Sequence, residues 1–251
     1  MTRRRWIADE VTGDTAALLG EHAAHLSRVL RAQIGQEFDI STGDEVRRGT
    51  ITFISDDRVE FALGLERALK SMRRNSTPQI TLALSIFKFD RMEWAIEKCT
   101  EIGVTRIIPV IAQRSDAHLA TAAAKRHERW QRIVRQAAEQ SRRSAPPEMT
   151  APVKLKELAG AGVLPAGAMT RVVLTESLAE SEEDTRLGEI VQSRRTEGEV
   201  ALAVGPEGGW ADDELAWFYE TGWVAASLGT TILRTETAAI VATALALDAL
   251  R

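Results

Sequence analysis

The sequence predicts an α/β protein in two parts: a small β-rich module over residues 1–72 and a larger domain over residues 79–251, built on a mostly parallel sheet covered by helices. Three observations lead there. Before Pro78 the apolar runs are short and broken by turn residues. After it, strand-like and helix-like runs alternate, the rhythm of helices laid on a parallel sheet. Between them Ser71-Met72-Arg73-Arg74-Asn75-Ser76-Thr77-Pro78 is polar and ends in proline, a linker composition. At 251 residues the chain can bury one large core or two smaller ones.

In the module, β-like runs cover Glu37–Ser41, Thr50–Ile54 and Val59–Leu65, with turns at Gly35, Thr42-Gly43-Asp44 and Ser55-Asp56-Asp57. One helix-like piece, Gly20–Arg31, interrupts them. Past the linker, Gln79–Phe87 reads as an apolar strand, Asp90–Ile102 as a helix and Arg106–Ile111 as a strand. A long helix over Ala120–Arg143 is expected to stop before Pro146-Pro147. Thr170–Leu174, Glu199–Val204 and Trp223–Ser227 are further strands, and an alanine-rich helix over Glu236–Leu250 closes the chain.

Composition narrows the function classes. Apolar content of 44% and charged content of 27% suit a water-soluble globular chain. No apolar run approaches the roughly 18 residues of a membrane span. The basic start is followed by Asp9 and Glu10 instead of an apolar signal core, so a cytoplasmic location is expected. Cys99 is the only cysteine, which excludes an internal disulfide and suggests a small buried thiol. His22, His25, His118 and His127 form no metal-binding pattern, and no metal is expected. The acidic run Glu180–Asp184 reads as a solvated loop. The formal charge of −4 hides an asymmetry: residues 79–150 hold 12 basic and 8 acidic residues, whereas residues 151–251 hold 8 and 16. A polyanion would meet the first two-thirds of the chain.

Two segments carry the chemistry. Gly205-Pro206-Glu207-Gly208-Gly209-Trp210 follows a strand and precedes acidic Asp212, Asp213 and Glu214, which open a helix. It is neither a Walker A loop nor a dinucleotide fingerprint. Its glycines let a ligand approach the main chain, although a tight strand-to-helix turn has the same composition. Leu228-Gly229 ends a second strand, and Ile232-Leu233-Arg234 links it to the last helix, with Thr235 as the expected N-cap. Both segments fall at carboxyl ends of strands, where parallel sheets bind ligands. Arg234 can pair with Glu207 or Glu236, or hold a phosphate or a developing negative charge. On the long helix, Lys125, Arg126, Arg129 and Arg132 form a basic stripe opposite Trp130, Ile133, Val134 and Ala137, and Arg3, Arg4, Arg5, Arg28 and Arg31 can extend a basic surface on the module.

With these segments in order, the chain resembles the bacterial 16S ribosomal RNA uridine-N3 methyltransferases of the SPOUT superfamily. The resemblance rests on Gly205–Trp210, Leu228–Ala238, Glu93–Pro109 with Glu97-Lys98-Cys99-Thr100-Glu101-Ile102-Gly103-Val104, Arg129-Trp130 with Ala137–Arg143, and His25 through Val29-Leu30-Arg31 to Gly35. Trp210 stands where that family more often has phenylalanine. The resemblance implies a PUA-like β-barrel followed by an α/β domain with a C-terminal trefoil knot, S-adenosylmethionine as cofactor, a homodimer, and 16S rRNA in the 30S subunit as partner. For the implied reaction Arg234 is, by position, the first candidate for the charge-stabilising catalytic residue and Glu207 the second, as proton acceptor, with a structural Arg234–Glu207 or Arg234–Glu236 pair as the alternative. Cofactor contacts would come from Leu174, Thr175, Gly205, Pro206, Glu207, Gly208, Gly209, Ser227, Leu228, Gly229, Ile232, Leu233 and Arg234. RNA contacts would come from Arg4, Arg5, His25, Arg28, Arg31, Lys88, Arg114, Arg129, Arg142 and Arg143. A transfer-RNA methyltransferase and a non-catalytic RNA-binding assembly factor are the competing readings.

Overall fold

A computed structural model describes residues 5–43, 45–67, 78–160, 162–165, 169–175, 186–194 and 199–251. The expected linker residues 71–77, the acidic run 180–184, and Arg3 and Arg4 lie outside the described residues. The chain divides into two compact units, Met1–Thr77 with Ala138–Pro146, and Pro78–Ala137 with Pro147–Arg251.

The first unit is a six-stranded sheet of β1 (Trp6–Ile7), β2 (Glu10–Thr12), β3 (Thr15–Leu19), β4 (Glu37–Ser41), β5 (Val46–Ile54) and β6 (Arg58–Arg67), ordered β1-β4-β5-β6-β3-β2. All pairs are antiparallel except β1 with β4. Period-two alternation turns Val59, Phe61 and Leu63 of β6 inward onto Trp6, Leu18, Leu26 and Ile40. Sequence reading missed β1 and β2 because they are only two and three residues long, and β3 because Ala16-Ala17-Leu18-Leu19 suits a helix as well as a strand. The hairpin is decided by the pairing of Thr12 with Thr15 across Gly13, whose φ of 57° fits a two-residue turn.

The expected helix over Gly20–Arg31 is shorter and changes pitch. Helix α1 (Gly20–Ala24) runs into a π-helical turn, His25–Val29. Arg31 takes a left-handed φ of 49°, and Ala32 N–H closes back on the Leu26 carbonyl at 3.0 Å, so the chain turns off before Gly35.

The second unit is a fully parallel sheet of β7 (Gln79–Ser85), β8 (Arg106–Ile111), β9 (Glu148–Met149), β10 (Val153–Lys154), β11 (Thr170–Leu174), β12 (Glu199–Val204) and β13 (Val224–Ala226). The order is β10-β8-β7-β12-β11-β13, with β9 also on β8. Strands β7 and β12 sit centrally and are buried along nearly their whole length, as strands covered on both faces must be. Alternation along β12 sorts residues by size. Val200, Leu202 and Val204 enter the core under the helices, whereas Ala201 and Ala203 leave room for Trp210, Phe218 and Trp223 on the other face.

Among the described residues five further α-helices complete the fold: α2 (Phe89–Ile102), α3 (Ala117–Gln140), α4 (Leu187–Ser193), α5 (Asp212–Glu220) and α6 (Thr235–Ala249). Helix α3 starts earlier than its periodicity suggests because the Asp116 carboxylate accepts from His118 and Leu119 N–H at 2.8 and 3.1 Å. It also ends earlier, at Gln140. Arg142 adopts a left-handed φ of 60° and Arg143 N–H bonds the Ala138 carbonyl, so the stop precedes Pro146-Pro147. Thr235 is not the N-cap of α6: Arg234 occupies that position in extended conformation, and Thr235 is the first, buried helical residue. Helix α6 packs against α2 and α4 and over β7 and β12, with Ala239, Ala242 and Ala246 allowing the close approach. No helix among the described residues is long and apolar enough to cross a membrane.

Cys99 is fully buried between α2 and α6, beside the Thr243 hydroxyl at 3.5 Å. Burial pushes its thiol up to about 12. A thiol-directed alkylating reagent at pH 8 is expected to leave the folded protein unlabelled and to label it fully in denaturant, as mass spectrometry will show. Because the folded thiol holds its proton above the ordinary value of 9.0, this group's contribution to stability falls as pH rises from about 9 towards 12.

Candidate functional site

The carboxyl ends of β11, β12 and β13 lie side by side, so the loops that leave them converge. They enclose a cavity of about 210 Å³. Its first wall is the segment after β12. There Gly209, at φ 69°, donates to the Pro206 carbonyl at 2.8 Å and closes a tight turn. Trp210 folds under this turn, only 5% exposed, with its indole N–H donating to the Leu174 carbonyl at 3.2 Å. A Cβ on Gly205 would lie 3.2 Å from that indole nitrogen, so the main chain passes directly over the ring.

The turn is fastened to its surroundings. Buried Glu214, in the first turn of α5, accepts from Ala211 N–H at 2.9 Å and from Gln113 N–H at 2.8 Å. The Gln113 side chain donates to Asp213 at 2.7 Å. This holds the loop after β8 against α5, and Arg114 from that loop donates to the Gly208 carbonyl at 2.9 Å. The second wall is the segment after β13, where Gly229 has a φ of 123° that side-chain-bearing residues rarely adopt. Thr175 N–H donates to the Ala226 carbonyl and Leu187 N–H to the Ser227 carbonyl, both at 3.2 Å, tying the β11 and β13 exits together.

Of the residues expected around a cofactor, Leu174, Thr175, Gly205, Pro206, Gly208 and Gly209 line this cavity from one side, and Ser227, Leu228, Gly229, Ile232 and Leu233 from the other. Glu207 and Arg234 do not line it. Glu207 is exposed and its carboxylate is held by Arg91 of α2 at 3.1 Å. The same guanidinium lies 3.9 Å from buried Glu236. The two pairs considered for Arg234 are therefore formed by Arg91 instead, and Arg234 stands exposed with no ion pair among the described residues. Sequence reasoning missed Arg91 because α2 is distant in the chain. It also missed Val204, Thr230, Thr231, Thr235 and Ala238 as lining residues, although the last four lie inside or beside the second segment.

The residues expected to meet RNA have different fates. Arg4 lies outside the described residues. Arg5 is buried in the first unit with its guanidinium on the Arg142 carbonyl, so it is a structural cation and not a surface one. His25 is half-buried with its ring 5.8 Å from that of Trp6. Arg28 is exposed and paired with Asp56 at 2.8 Å, and Arg31, Lys88 and Arg142 are exposed. Arg129 reaches Glu93 at 2.8 Å and Arg126 covers the Phe89 ring at 4.8 Å, so part of the basic stripe is already matched. Arg143 is half-buried, and burial pulls its guanidinium down to about 10. Arg114, expected on the RNA, stands at the cavity wall.

Comparison with known proteins is consistent with this arrangement. Residues 73–247 match the family model described as the RNA methyltransferase domain. The chain is 32% identical over 243 residues to ribosomal RNA small subunit methyltransferase E of Synechocystis, covering 94% of this chain and 74% of that protein. It is 34% identical over 245 residues to the protein of the same name from Mycobacterium tuberculosis, covering 92% and 85%. The crystal structure of ribosomal RNA small subunit methyltransferase E from Neisseria gonorrhoeae bound to S-adenosyl methionine superposes with a TM-score of 0.80 at 31% identity, over 96% of this chain and 95% of that one.

Proposed function

Because the chain belongs to the ribosomal RNA small subunit methyltransferase E family, we propose that it transfers a methyl group from S-adenosylmethionine to N3 of one uridine in 16S rRNA. The observation that carries the proposal is the cavity where the β11, β12 and β13 loops converge. Its lining suits the cofactor: main chain at Gly205 and Gly208, hydroxyls at Thr230, Thr231 and Thr235, and apolar Leu174, Leu228 and Leu233 for a flat adenine. When bound, the cofactor supplies an electrophilic methyl on a sulfonium.

The chain's own residues would do the rest. Uridine N3 carries a proton and becomes nucleophilic only when that proton leaves, so the site must stabilise negative charge on the ring. Arg234, at the start of α6 and beside the cavity-lining Leu233, is available to a negatively charged ligand, while Glu207 as proton acceptor would first have to leave Arg91. The target base must be exposed or flipped to reach the cavity. RNA backbone would meet Arg28, Arg31 and Arg142 of the first unit and Lys88 and Arg129 of the second.

Four further features belong to this proposal. A PUA-like barrel is supported by the six-stranded, mainly antiparallel sheet of the first unit. A trefoil knot is supported by the path of the C-terminus, which leaves edge strand β13 yet places α6 over central β7 and β12. A homodimer is supported by α6, which is mostly apolar yet leaves Leu245 41% exposed, while Trp94 of α2 is 49% exposed. A cytoplasmic enzyme acting on the 30S subunit follows from the substrate. The test is to map N3-methyluridine in 16S rRNA from cells with and without this protein, then add the purified protein and cofactor to unmodified 30S particles. One position should lose and regain the modification; particles that take up no methyl group would sink the reading.

A further inference from the structure

Arg114 is the one charged side chain in the cavity wall among the described residues. The rest of the lining is main chain, hydroxyl or hydrocarbon, so negative charge formed inside meets Arg114 first. Its position is built rather than incidental. The preceding residue is fastened by both main chain and side chain to Glu214 and Asp213, and Arg114 itself holds the Gly208 carbonyl at 2.9 Å. That bond uses one of five guanidinium N–H groups. The side chain is exposed and lines the cavity, so its remaining N–H groups are open to an incoming ligand.

Resting on the reading above, in which uridine is the acceptor, the geometry points to Arg114 as a further catalytic residue besides Arg234, the one that stands in the cavity wall itself and takes up the negative charge developing on the uracil ring. The N3–H bond breaks and its proton passes to water, leaving the electron pair delocalised over N3, O2 and O4. The N3 pair then forms the bond to the methyl carbon while the carbon–sulfur bond breaks and its pair returns to sulfur. A planar N–H fork fixed before the base arrives can donate to the charged carbonyl oxygen at no cost of reorganisation. A free surface arginine lacks that advantage. The other oxyanion of matching chemistry is the carboxylate of the cofactor, and the experiment separates the two.

The test uses the full-length protein, S-adenosylmethionine and two 30S preparations, one with ordinary uridine and one with 5-fluorouridine, whose fluorine makes N3 more acidic. Arg114→Met is expected to lower turnover at saturating substrates by about 100-fold, with cofactor affinity by calorimetry unchanged. The loss should be smaller on 5-fluorouridine RNA, because a more acidic N3 needs less help. Arg114→Lys, which keeps the charge without the fork, should fall between. If Arg114→Met melts below the wild type, the lysine variant gives the reading. A matching loss of cofactor affinity would move Arg114 to the carboxylate and overturn the assignment. Weaker RNA binding with full turnover at saturation would make it a phosphate contact, and equal losses on both RNAs would make it structural. Wild-type protein that methylates neither RNA refutes the functional reading itself, whereas active wild type matched by Arg114→Met refutes this assignment alone.

Discussion

Gly205→Val is expected to reduce S-adenosylmethionine affinity by at least about 100-fold, or roughly 2.7 kcal/mol, while the protein remains folded. The reason is steric. A Cβ at this position sits 3.2 to 3.4 Å from three atoms of the Trp210 indole, and the two methyls of valine reach further. The ring can yield only by giving up its bond to the Leu174 carbonyl and its place against Phe218. Both adjustments shift residues that line the cavity. Calorimetry measures the loss, and a thermal melt checks the fold. Gly205→Ala should be milder, and Trp210→Phe in the same chain should recover part of its loss by removing the indole nitrogen, the nearest atom. Such recovery would be a direct coupling between neighbours. Undiminished affinity in Gly205→Val would place the cofactor elsewhere.

Phe218→Ala is expected to cost about 3–5 kcal/mol of stability. Phe218 is fully buried, with its ring edge-on to Trp210, Trp217 and Trp223 at centroid distances of 4.8, 5.3 and 5.1 Å. Its removal leaves a hole that flat indoles fill poorly, and the alanines of β12 beneath cannot expand into it. The melting midpoint should drop by roughly 10 °C. Cofactor affinity should fall as well, because Trp210 loses its packing partner under the glycine turn. Phe218→Leu, closer in volume, should recover most of the stability. A melting curve that barely moves would show that this cluster is not the support for the cavity floor.

Reading the sequence succeeded where the signal was local. Strands β4, β8, β11 and β12 fall on the expected residues because β-branched and aliphatic runs bounded by turns have few alternatives. Strands β1 and β2 escaped because two or three residues carry no period, and β3 because its alanine–leucine run suits a helix as well; pairing with β4, β3 and β6 makes them strands. Helix ends moved by a few residues: the Asp116 carboxylate caps α3, and α6 begins one residue early, after extended Arg234. Expected strand Trp223–Ser227 shortened to Val224–Ala226 for the same kind of reason: its ends are given to the turn and to the cavity.

The sequence by itself determined the alternation of strand and helix, the two glycine-bearing loops at strand ends, and the family resemblance they carry, because each is written in consecutive residues. Tertiary structure decided which charges meet. Arg91, more than a hundred positions away, takes the carboxylates of Glu207 and Glu236 that spacing offered to Arg234. Arg114 arrives at the cavity only because β8 lies two strands from β12 and its loop is fastened to α5. Ion pairing falls off within a few ångströms, and separation along the chain says nothing about separation in space once a parallel sheet has reordered its strands.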